Sequence, residues 1–251
     1  MPNPLWTHDR KAAKDMAGIV GVDEAGRGCL AGPVVAGAAL LPTGFFKQAS
    51  NRSRSAEIND SKQLDEAKRE KLFQYLEHLR EAGQLWFATG QATVEEIEKE
   101  NIVGATCLAM KRAMETLAEK CEGRWRPTGR DEDGLFATDT APRESWLTLV
   151  DGRPMKRLPY VHTGLVKGDS LSLAVAMGSI AAKVTRDRLM RKLDERFPAY
   201  DFASNKGYGA PNHLRALEEH GPTEVHRPRF LLKILTPSDP PQAEQTRLNF
   251  S

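Results

Sequence analysis

Three short apolar runs in this chain stop at carboxylates, and that recurrence restricts the fold more than any single motif does. Gly18–Val22 ends at Asp23 and Glu24, Trp146–Val150 ends at Asp151, and Tyr160–Val166 leads into a turn carrying Asp169. Apolar runs of this length, bounded by turn residues, read as buried strands. Strand ends in one sheet can converge on one edge, where open α/β sheets build their crevices. Taken alone, Asp151 followed by Gly152 is ordinary turn chemistry; its repetition at three strand ends favours a shared site. Four crowded carboxylates repel one another unless cations intervene, and hard oxygen donors suit Mg²⁺ or Mn²⁺ and not zinc. Two such ions roughly 3.5–4 Å apart can activate a water and stabilise the leaving oxygen of an in-line displacement at phosphorus.

The residues next to the first acid pair suit a phosphate partner. Gly26, Arg27 and Gly28 can present bare backbone N–H groups and one guanidinium. A dinucleotide fingerprint would need a helix next and an acid about 20 residues on. Here Pro33–Leu41 reads as a second strand. Tyr208, between Gly207 and Gly209, is either an ordinary loop tyrosine or an aromatic poised to stack on a base or sugar. Lys62, Lys167, Lys183, Arg186 and Arg188 are available for phosphate contacts, although a solvated face is the usual reason for such charges. His213 and His226 are candidates for a proton shuttle or simply packed histidines.

Helical spacing predicts helices over Leu64–Glu81, Thr93–Glu98, Ile102–Lys120, about 172–196 and Pro211–His220, with a strand over Gln84–Gln91. The stretch after Gly44, to about Ser61, reads as a long surface loop, and Cys121–Ser145 as an exposed insertion. The organisation expected is a flexible segment over 1–16, a catalytic α/β domain over 17–198, a helical subdomain over 199–236 and a disordered tail over 237–251. The 251 residues carry a formal charge of only +2, so any nucleic-acid surface must be a local patch. Cys29, Cys107 and Cys121 show no paired spacing, which argues against a disulfide framework or thiolate zinc site. With no apolar leader core in Met1–Lys14 and no run of transmembrane length, a cytoplasmic protein is expected.

The block from Val22 to Gly37 resembles the N-terminal signature of the type 2 ribonucleases H, the ribonuclease HII family. The likeness continues through Asn59–Lys62, Val150–Gly152, Lys167–Ser170, Ser179–Asp187, Lys206–Gly209, His213 and His226–Phe230. It implies an RNase H-like mixed sheet flanked by helices, with a small C-terminal helical subdomain. The implied activity is metal-dependent endonucleolytic cleavage of RNA in RNA–DNA hybrids, including single ribonucleotides embedded in duplex DNA. Cleavage 5′ to the ribonucleotide would leave 3′-hydroxyl and 5′-phosphate ends, in ribonucleotide removal or primer processing. By the same resemblance Asp23, Glu24, Asp151 and Asp169 are the metal-binding catalytic acids, with Mn²⁺ or Mg²⁺ as cofactor. Gly26, Arg27 and Gly28 would contact the ribonucleotide 2′-hydroxyl, Tyr208 would stack at the RNA–DNA junction, and Ser179 and Lys183 would lie near the phosphates.

The chain departs from the family pattern at Ala210, at Arg229, and at Met177–Gly178, where a pair of alanines is usual. A glycine within a helix costs about 1 kcal/mol, so a less stiff helix is expected there. A monomer is expected. The tail segment Gln245–Phe250 resembles a short sliding-clamp-binding peptide, although composition alone predicts only disorder.

Overall fold

The computed structural model describes residues 3–58, 64–130 and 145–235. Its regular elements are α1 (Pro4–Ala12), β1 (Gly18–Ala25), β2 (Val34–Pro42), α2 (Ala49–Arg54), α3 (Glu66–Glu81), β3 (Trp86–Ala92) and α4 (Val94–Lys120). They continue with β4 (Trp146–Asp151), β5 (Thr163–Leu165), α5 (Leu173–Arg196), α6 (Phe202–Asn205), α7 (Pro211–His220) and α8 (Pro228–Leu235). The strands form one mixed five-stranded sheet in the order β3-β2-β1-β4-β5. β1, β2 and β3 pair antiparallel, whereas β1, β4 and β5 run parallel.

Helices cover both faces of the sheet, which is why β1 and β2 are nearly continuous apolar runs and do not alternate with polar residues. On one face Ile19, Ala39, Leu41, Phe87 and Leu149 pack with α5, α3 and α1; on the other Val20, Val22, Ala38, Leu40 and Val150 pack with α4. Each fully buried Leu, Ile or Val in these layers contributes about 1.5–3 kcal/mol. A third cluster joins Leu30 and Ala31, from the loop after β1, to Met190, Tyr200, Phe202, Leu217 and Leu231. The β1–β2 loop is therefore built into the core of the C-terminal helices.

Gly178 overturns the expectation of a loosened helix. A Cβ there would lie 2.9 Å from the carbonyl oxygens of both Gly21 and Gly37, and one on Gly37 would lie 2.1 Å from Gly178 O. These glycines let α5 rest directly on the backbone of β1 and β2, so the helical cost of glycine is exchanged for close packing.

Two other segments also differ from expectation. The N-terminal residues, expected to be flexible, form α1, whose Leu5, Trp6 and Asp9 are buried. The Asp9 carboxylate accepts from Ser172 Oγ at 3.0 Å and Ala174 N at 2.8 Å, fixing the start of α5. The stretch expected to be a long surface loop contains α2 and two short 3₁₀ turns, and buries Phe45, Phe46, Asn51, Ser55 and Ile58. Trp6 packs tilted against Phe45 and edge-on against Phe46, with ring centroids 5.3 and 5.1 Å away. The two helices expected between 93 and 120 are joined across a break at Asn101 (φ 56°), whose side chain caps the second by accepting from Val103 N and Gly104 N. Residues 131–144 of the expected insertion and the 237–251 tail, with Gln245–Phe250, lie outside the described residues.

Candidate active site

Parallel pairing sets the register of the acids. Val22 faces Val150 across β1 and β4, so Asp23 and Asp151 come next, side by side at the same end of the two strands. Side chains alternate along a strand, so Asp23 shares the α5 face with Ile19 and Gly21. Only 2% of Asp23 is exposed. Its Oδ1 accepts the Glu24 N–H at 2.7 Å, while Oδ2 is buried with no hydrogen-bond partner. Burial pushes the Asp23 carboxyl well above the usual carboxylate range, and the Glu24 and Asp151 charges push the same way; the nearby Ser179 hydroxyl on α5 opposes them.

Asp151 closes the next link. Its Oδ1 accepts the Gly168 N–H at 2.6 Å, which seats the 3₁₀ turn Gly168–Ser170 over the end of β4. Asp169, in that turn, is buried. Among the described residues no three Asp, Glu, His or Cys side chains are drawn closely enough together to hold an ion as they stand. The fit to a cation rests on the donors themselves: a buried carboxylate oxygen without a partner, made costly by two neighbouring negative charges, is a site that a hard divalent ion would satisfy.

The glycine-flanked arginine sits beside this edge. Gly26 has φ +88°, and a Cβ there would fall 1.9 Å from Arg186 Nε, so only glycine fits. Arg27 is half-exposed and its Nη1 lies 3.2 Å from Glu24 Oε1. Gly28 borders open space. The loop is shaped from within by two fully buried arginines. Arg227 donates to Gly32 O from Nε (2.9 Å) and Nη2 (2.7 Å), and to Arg27 O from Nη1 (3.1 Å). Arg186 donates to Pro33 O, Ala31 O and Lys206 O. Burial pulls the Arg227 guanidinium down to about 10, so it remains cationic at neutral pH.

Arg186 also carries the loop to the Tyr208 segment, where Gly207 O accepts from both Leu30 N and Ala31 N. The Tyr208 ring is 46% exposed and lies 6.0 Å from Lys183 Nζ, which in turn donates to Asp187 Oδ1 at 2.8 Å. Ser179 and Lys183 are four residues apart on α5, so one helical turn, about 6 Å of rise, links the Asp23 acid to the tyrosine.

The remaining candidate residues fall in different surroundings. Ser179 is buried against Asp23, and Arg186 supports the loop instead of offering a charge to solvent. Arg188 pairs with Glu70 at 2.6 Å and stacks over Phe73. Lys62 lies outside the described residues. Arg227 lies in the His226–Phe230 block of the resemblance but was assigned no role from sequence, because its partners are carbonyls some 200 residues away.

The family model for Ribonuclease HII matches residues 20–123 and 151–233. A ribonuclease HII of Fusobacterium nucleatum is 41% identical over 238 residues, covering 94% of each chain. One from Desulfitobacterium hafniense is 42% identical over 212 residues, covering 84% of this chain and 68% of that one. Among solved structures, ribonuclease H2 of Pyrococcus horikoshii superposes with a TM-score of 0.60 at 27% identity, covering 86% of this chain and 96% of that one.

Proposed function

Because the chain belongs to the ribonuclease HII family, a hydrolase family that cuts the RNA of RNA–DNA hybrids, we propose that Asp23, Glu24, Asp151 and Asp169 are its catalytic acids and that it also incises at single ribonucleotides in duplex DNA. The observation that carries this reading is the side-by-side placement of Asp23 and Asp151 with a buried, unpartnered Asp23 Oδ2. These acids would hold Mg²⁺ or Mn²⁺, which when bound supplies Lewis acidity at phosphorus and offsets the charge that develops there.

The protein's own groups do the rest. Ser179 holds Asp23 in place. The N–H of Gly168 orients Asp151. The Gly26–Gly28 backbone, held rigid by Arg186 and Arg227, meets the ribose, where a 2′-hydroxyl offers both a donor and an acceptor that DNA lacks. The exposed Tyr208 ring stacks on the neighbouring sugar or base, and Lys183 beside it meets a phosphate. Cleavage on the 5′ side of the ribonucleotide then leaves a 3′-hydroxyl and a 5′-phosphate.

Asp151→Asn tests the acid assignment, since the amide keeps the side chain's shape but removes its charge. Cleavage of a hybrid in Mg²⁺ or Mn²⁺ should vanish while hybrid binding persists; full activity in this variant would overturn the assignment.

A further inference from the structure

We propose that His213 and His226 are positioning residues that act as a pair to hold the backbone of Tyr208, and so set the aim of its ring. The inference rests on the reading of Tyr208 as the stacking residue.

The bonding around the two imidazoles admits one assignment. Thr223 N–H lies 3.0 Å from His226 Nδ1, which must therefore accept. The other His226 nitrogen, Nε2, then carries the proton and donates to His213 Nε2 at 3.0 Å. That leaves the His213 proton on Nδ1, which donates to Tyr208 O at 2.7 Å. A carbonyl can only accept, so the chain has one direction throughout. At one end both the N–H and the hydroxyl of Thr223 meet His226 Nδ1, the hydroxyl oxygen at 2.9 Å; at the other end the chain stops at the Tyr208 carbonyl, which passes no proton on. The pair is thus a brace, and the proton-shuttle role open to these histidines from sequence does not fit.

The brace completes a set. Lys206 O is held by Arg186, Gly207 O by Leu30 N and Ala31 N, and Tyr208 O by His213 and Ala210 N. Three successive carbonyls are thereby gripped by three parts of the fold, α5, the β1–β2 loop and α7 with its N-cap Ala210, while the tyrosine ring stays half-exposed. Both imidazoles are sealed from water by Tyr200 and Phe202, whose rings lie 4.8 Å from His226 and 5.3 Å from His213 respectively. With the ring exposed and its backbone fixed, stacking requires little ordering on binding.

The test is a double-mutant cycle in the full chain, assayed by steady-state cleavage of duplex DNA with one embedded ribonucleotide. His213→Phe keeps an aromatic ring among Tyr200 and Phe202 but removes the donor to Tyr208. It should raise KM about threefold to tenfold, the effect of one lost neutral hydrogen bond, with a smaller change in kcat. His213→Asn, whose amide nitrogen can reach the same carbonyl, should recover most of that loss. In a Tyr208→Ala background His213→Phe should add nothing. Equal effects of His213→Phe with and without Tyr208, or an asparagine no better than phenylalanine, would overturn the proposal. If His213→Phe does not fold, His226→Leu removes the donor one step back and carries the same prediction. Should Tyr208→Ala itself leave KM unchanged, the stacking role falls and the brace with it. Should Tyr208→Ala raise KM while both histidine variants do not, only the brace falls.

Discussion

Acid should unfold this protein partly through one histidine. Burial, aided by the neighbouring His213, lowers the pKa of His226 from an ordinary 6.5 to about 4. Protonation in the fold would place a charge in a buried site beside His213, a cost that the contact with Thr223 offsets only in part. The unfolded chain has no such cost and takes up the proton first. His226 therefore supports the fold fully above its unfolded pKa of 6.5, and loses that support as pH falls toward about 4. Between about pH 7.5 and about pH 5 the loss is about 2 kcal/mol, and its limit at lower pH is about 3 kcal/mol. For a chain of this size the first figure corresponds to about 4–8 °C in Tm. The raised carboxyl of Asp23 acts in the opposite direction, since acid relieves its buried charge. Comparing wild type with His226→Gln cancels that contribution, because only the histidine differs. Thermal unfolding of both proteins in chelator across this pH range should show the stability gap between them narrowing by about 2 kcal/mol as pH falls. A gap that does not change with pH would refute the assignment of a neutral, acid-sensitive His226.

Two further substitutions probe the scaffold. Gly37→Ala places a methyl group 2.1 Å from Gly178 O and should lower stability by about 1–3 kcal/mol or more in urea unfolding, whereas Gly28→Ala, which meets open space, should change it by less than about 0.5 kcal/mol. Arg227→Met leaves the buried Arg27 and Gly32 carbonyls without donors and should cost about 2–5 kcal/mol by the same measurement. Arg227→Lys should recover little of it, because an ammonium cannot fork between two carbonyls; full recovery by lysine would count against the tether.

The sheet and the acid edge were legible because their signals are local. Apolar runs stopped by Asp, Gly or Pro mark β1, β2 and β4, and α7 runs from Pro211 to His220 with Gly221 beyond it, as expected. Parallel pairing of β1 with β4 then places Asp23 beside Asp151 without help from distant residues. The segment around Phe45 and Phe46 was illegible for the opposite reason: two adjacent aromatics in a 3₁₀ turn have no helical or strand period, and both are buried by Trp6 of α1. α1 itself buries only Leu5, Trp6 and Asp9, too few to reveal its packed face. Arg186 read as a surface charge because arginine usually is one, and its partners are backbone carbonyls that every residue has. Ser179 was placed near the phosphates by likeness, and its own register on α5 turns it toward Asp23.

The Arg227 tether has a consequence in time as well as space. Ribosomes make Arg27 early, yet the guanidinium that fixes its carbonyl lies 200 residues further along the chain. At about 5–20 residues per second the interval is about 10–40 s. In its later part, once Asp151 has been made, the nascent chain already holds both Asp23 and Asp151, while the loop that would distinguish ribose from deoxyribose lacks its support. On the proposed reading, the part of the site that would select the substrate is among the first to be synthesised and among the last to take shape, and selectivity would then be a property of the finished chain.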